Sequence, residues 1–76
     1  MIGIKTMEKA INYILNEKSG YRKDLIEYLN NDVEFVDELA LLGYIAQGVM
    51  AEDKNKYRRT WRKTKKAEDY CRLYIN

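Results

Sequence analysis

The sequence has no histidine, no proline and a single cysteine. Zinc sites of the usual Cys/His kind cannot be assembled within one such chain. The Ser-His-Asp and Cys-His arrangements of nucleophilic catalysis each lack a member. The lone Cys71 excludes an internal disulfide framework and fits a reducing compartment, so a cytoplasmic setting is expected. Glycine is scarce too: Gly3, Gly20, Gly43 and Gly48 form no phosphate-cradling loop of the P-loop or dinucleotide type. No run of about 18 apolar residues occurs, which argues against a membrane span. Charges interrupt each apolar stretch of the opening MIGIKTMEKAINYILNEK, so no cleavable signal is expected. The neighbouring carboxylates Asp37–Glu38 and Glu68–Asp69 have no other site chemistry around them and read as solvated helix faces. Composition points away from an enzyme, a metal, a cofactor or a small-molecule substrate.

Acid is the next shortage, and it is local. Lys54 to Lys66, KNKYRRTWRKTKK, holds eight Lys or Arg in thirteen residues and no Asp or Glu, with Tyr57 and Trp61 set among them. Residues 1–53 carry five basic and ten acidic side chains, residues 54–76 nine and two, so the overall +2 hides a two-pole molecule. A run of one sign this dense repels itself unless an anionic partner or an acidic protein surface offsets it. Solubility alone favours mixed signs.

The 76 residues, 46% hydrophobic with seven Tyr, are expected to form one domain over 1–76. Met7, Ala10, Ile11, Ile14 and Leu15 recur at helical spacing, predicting a first helix over 6–18. Thr6 is its expected N-cap, Ile4 its staple and Gly20 its left-handed stop. A second helix opens at Tyr21-Arg22-Lys23-Asp24, buries Leu25, Ile26 and Leu29, and breaks at Asn30-Asn31. Asp32 caps a third helix that turns Val33, Phe35, Val36, Leu39, Ala40 and Leu42 inward and ends at Gly43. Its other face is Glu34, Asp37, Glu38 and Leu41. From Tyr44 to Met50 the chain reads as a strand, Ala51 to Asn55 as a turn, and Tyr57 to Arg62 as an alternating return strand. On that return strand Tyr57, Arg59 and Trp61 share one face. Thr64 caps a last helix to about Tyr74, burying Ala67, Tyr70, Cys71 and Tyr74.

Three stretches carry a resemblance. GYRKDLIEYLNN resembles the second helix and turn of the winged helix-turn-helix superfamily. DELALLGYIAQG is similar to its join from third helix to wing, and RRTWRKTKKAEDY to the strand that returns from the wing into a terminal helix. The implied fold is α+β: a three-helix bundle, a two-stranded β-hairpin wing and a C-terminal helix. The implied function is binding of double-stranded DNA as a small transcriptional or mobile-element regulator. The third helix departs from the family, being acidic where a groove-reading helix shows neutral or basic side chains. Three acids on one face would meet a lattice of one phosphate charge per ~1.7 Å of duplex axis.

Contact through the wing is therefore expected. Lys54, Lys56, Arg58, Arg62, Lys63 and Lys65 are the candidate phosphate ligands, with Arg22 and Lys23 at the start of the second helix. This requires that the chain's own carboxylates do not neutralise them. The alternative is a protein-interaction module, such as a viral or mobile-element accessory protein. It would bind a partner, or itself as a homodimer, through Glu34, Asp37, Glu38 and Leu41. Trp61 and most of the tyrosines are expected to pack rather than to stack on bases.

Overall fold

The computed structural model describes residues 4–75. Four helices and a three-stranded antiparallel sheet make an α+β domain. Helix α1 (Ile4–Glu17) leads into strand β1 (Ser19–Tyr21), then α2 (Arg22–Tyr28) and α3 (Val33–Leu41). Strands β2 (Ile45–Asp53) and β3 (Lys56–Lys63) form a ribbon, and α4 (Lys65–Tyr70) continues into a π-helical turn over Cys71–Ile75. The sheet order is β1-β3-β2. None of the helices is long and apolar enough to cross a membrane.

The core follows the stripe seen in the sequence. Met7, Ala10, Ile11 and Ile14 of α1 meet Leu25 and Leu29, then Phe35, Val36 and Leu39, with Ile45, Trp61 and Ala67 closing the cluster. Ile45 and Trp61 belong to the inner sheet face, which the helices cover; Thr60 and Arg62 alternate onto the outer face. Tyr13 stacks on Tyr28 with ring centres 4.1 Å apart and lies 6.0 Å from the Trp61 ring.

The ends of the helices are set by short-range chemistry. Asp32 accepts a hydrogen bond from the Phe35 amide at 3.0 Å, the N-cap expected of it. Asn30 and Asn31 both take left-handed φ, near +62° and +61°, which Asn tolerates better than most side chains. At the other end of α3 the amides of Gly43 and Tyr44 donate to the carbonyls of Ala40 and Leu39, a Schellman closure that needs the +88° φ of Gly43.

Several expectations are corrected. The sheet has three strands rather than two, because Ser19–Tyr21 pairs with Thr60–Arg62. Three residues are too few to show a period of two, so this strand left no pattern to read. The left-handed stop after α1 falls on Lys18 (φ 70°), leaving Gly20 extended in β1. Gly20 has another use there: a Cβ on it would lie 3.3 Å from Trp61 Nε1. Helix α1 begins at Ile4, so Thr6 sits exposed inside its first turn instead of capping it; the Ile4 side chain lies outside the described residues. Strand β2 runs on to Asp53 through an irregularity between Ala51 and Asp53, which shortens the turn to Lys54-Asn55.

Val33 and Leu42 are 46% and 39% exposed, being the first residue and the C-cap of a short helix. Tyr74 is exposed as well, and Ile75 packs on the core instead, because the wider i to i+5 turn after Cys71 shifts the helical phase. Cys71 is half-buried against the core.

The ribbon outruns its support. Nine residues of β2 span about 30 Å, and the molecule measures 43 × 23 × 19 Å. Its radius of gyration is 12.6 Å, against roughly 11 Å for a compact chain of this length. Every residue from Gln47 to Arg59 is exposed.

Candidate functional site

Strand alternation divides the cations of the ribbon between two faces. Lys56, Arg58 and Arg62 lie on the outer face, while Arg59 joins Tyr57 on the inner one. Beyond Thr60, β3 has no β1 partner, because β1 ends at Tyr21 and the chain turns into α2. That turn brings the first residues of α2 beside the unpaired edge of β3. A cleft of about 530 Å³ lies there, lined by Arg22, Lys23, Tyr57, Arg58 and Arg59 and by one acid, Glu27, among others. Four cations from two stretches more than 30 residues apart thus share one concavity.

Arg22 is the most buried of the four. Its side chain is 12% exposed, and its Nη2 donates to Asp37 Oδ1 at 2.5 Å. The sequence placed Arg22 and Asp37 on rival surfaces; instead they join α2 to α3. Arg22 Nε, like Trp61 Nε1, is buried without an acceptor among the described residues. Arg58 Nε reaches Glu52 Oε1 at 2.6 Å, and its guanidinium lies 5.0 Å from the centre of the Tyr21 ring. Both partners of this ion pair are more than a third exposed. Such pairs contribute about 0–1 kcal/mol, so a phosphate can take the place of the carboxylate at little cost.

Lys63 pairs with Glu68. Its hydrogen bond, and then its charge, hold the Glu68 carboxyl below the ordinary range. This contact joins β3 to α4 beside Thr64, whose Oγ1 accepts from the Ala67 amide and donates to the Gly43 carbonyl at 2.6 Å. Lys66 donates to the Leu42 carbonyl and lies over the Tyr44 ring. Lys63 and Lys66 therefore hold the end of the sheet and the C-terminus of α3.

Among the described residues, Lys23, Lys54, Lys56, Arg59, Arg62 and Lys65 have no carboxylate within ion-pair distance. Of the ribbon cations expected as phosphate ligands, Arg58 and Lys63 are thus paired within the chain. Arg59, not among the expected ligands, lines the cleft instead. The alternation of β3 already put Arg59 on the Tyr57 face, but nothing in the sequence showed that α2 would meet it there. Another concavity, about 600 Å³ on the outer sheet face, is lined by a single cation, Arg62.

Helix α3 presents the opposite charge. Glu34, Asp37 and Glu38 are exposed, and Leu41 beside them is 86% exposed. The helix contains no Lys or Arg. A second cleft, about 460 Å³, separates it from the inner ribbon face and is lined by Asp37, Gln47, Gly48, Val49 and Arg59.

No protein-family model, curated protein or solved structure matches the chain.

Proposed function

We propose that the chain is a winged-helix nucleic-acid-binding protein that grips the phosphate backbone of duplex DNA, in a transcriptional or mobile-element regulatory role. The observation that carries this reading is the convergence of Arg22, Lys23, Arg58 and Arg59 on one cleft at the base of a projecting ribbon. The winged-helix part is supported by the order helix, strand, helix, helix, strand, strand and by the central position of β3 in the sheet. Lys54 and Lys56 extend the same positive path toward the ribbon tip.

The cleft suits a phosphate track better than a base edge. Guanidinium groups present several fixed donors to a phosphate, and ammonium groups add charge without demanding one geometry. Helix α3 is kept out of the groove by its acids. The protein then binds with little discrimination between sequences, since phosphate contacts set position and base contacts set specificity. Trp61, 2% exposed, belongs to the core, whereas Tyr57, 67% exposed, is free to touch sugar or base.

A salt-dependent titration with a labelled duplex tests the reading. With about five phosphates neutralised, log affinity should fall against log salt with a slope of about −4 to −5. A response that stays flat as salt rises would overturn it. A single-stranded probe bound far more tightly than the duplex would replace the backbone-track reading with one based on stacking at Tyr57.

A further inference from the structure

We propose that two copies of this chain associate as a reciprocal pair, the acidic face of α3 in each meeting the inner face of the β2–β3 ribbon of the other. The two surfaces are complementary in charge and in apolar content. On α3, Glu34 and Glu38 lead along one face to Leu41, the most exposed large hydrophobic side chain among the described residues. On the ribbon, Arg59 has no carboxylate within ion-pair distance among the described residues. It stands between Val49 and Tyr57, 68% and 67% exposed. Apolar side chains ringed by opposite charges are the usual anatomy of a specific protein contact.

Within one chain these surfaces border the same cleft but do not close on each other, for Asp37 is taken by Arg22. That adjacency is what points to a second copy. A two-fold axis through the cleft sets each ribbon against the other chain's α3 at once, so both complements are supplied and the assembly closes at two. A foreign protein would have to carry both complements independently. Arg59 also borders the basic cleft, so duplex DNA competes with the second copy for it. That competition rests on the functional reading above; the association itself does not.

Sedimentation velocity on the full chain without nucleic acid decides the matter. At about 0.05 M salt the mass should approach twice the 9.1 kDa of the chain, and at about 0.5 M it should return to that of the monomer. Two charge variants sharpen the test: Glu34→Lys with Glu38→Lys, and Arg59→Glu. Each alone should remain monomeric at low salt, because both carry like charges at both contacts. An equimolar mixture should restore the dimer, because in the mixed pair both contacts regain opposite charges. Leu41→Asp, at an exposed position, should also abolish association and keeps the test open if the lysine variant loses its circular-dichroism signature.

A wild-type chain that stays monomeric at low salt overturns the proposal. A mixture that fails to pair overturns it as well. Masses that climb past two chains with concentration overturn the reciprocal geometry in favour of head-to-tail growth. None of these outcomes bears on duplex binding, which the salt titration judges separately.

Discussion

At its base the β2–β3 ribbon buries Ile45 and Trp61 to 3% and 2% exposure; a few residues further along the same two strands, Val49 and Tyr57 are 68% and 67% exposed. The register is continuous between them and the alternation is the same. What changes is the support. At the base the helices cover the inner face, and Gly20 lets β1 come close over the indole. Toward the tip the inner face opens onto clefts instead of packing on α2 and α3, and the apolar positions of the pattern point into water. An alternating sequence fixes which side chains share a face, but not whether anything covers that face. The base is packed, and the tip is exposed.

The sharpest way to break this comparison is to truncate one aromatic at each end. Trp61→Ala should cost about 3–5 kcal/mol, close to the whole stability of a domain this small. Tyr57→Ala should stay within about 0.5 kcal/mol. Urea midpoints of the two variants give the comparison directly, and equal losses would mean that the tip is packed after all.

Next in size is the joint at Thr64. Its hydroxyl caps α4 and donates to the Gly43 carbonyl, so it serves two elements at once. Thr64→Ala should lose about 2 kcal/mol, one part for the cap and one for the hydrogen bond, while Thr64→Ser should retain most of it. A serine variant as weak as the alanine variant would shift the effect to the lost methyl group.

The smallest expected effect concerns the Lys63–Glu68 contact, and it fades in acid. The folded protein holds the Glu68 carboxyl below its reference value of 4.5. Its contribution is therefore complete above that value and is lost as pH falls through the lower, folded one. Glu68→Gln should narrow the difference in urea midpoint between about pH 6 and about pH 3. If the variant keeps the full difference, other carboxylates set the acid sensitivity.

Much of this architecture was legible in the residues. The α1 stripe, the Asp32 cap, the Gly43 stop and the Thr64 cap are local signals, each carried by a few neighbouring side chains. The hairpin was legible from alternation and from the change of pattern after Gly43. Two features were not, for the same reason: they are products of long-range pairing. Strand β1 is too short to show a period, and it exists because Trp61 and its neighbours on β3 hold it. The convergence of Arg22 and Lys23 on Arg58 and Arg59 depends on β1 handing the chain to α2 beside β3. The charge run was visible as a dense cluster of cations. Its partition between free cations and those tied down at Glu52 and Glu68 depended on distances that spacing does not carry.

Whether the α2 and β3 cations act as one site is best measured by salt titrations of duplex binding by wild type, Lys23→Ala, Arg59→Ala and the double variant. Each single substitution should reduce the steepness of log affinity against log salt by about one, and the double variant by about two, with the fold unchanged. If Lys23→Ala and Arg59→Ala both leave the wild-type slope intact, the cleft between α2 and β3 is not where the anion binds.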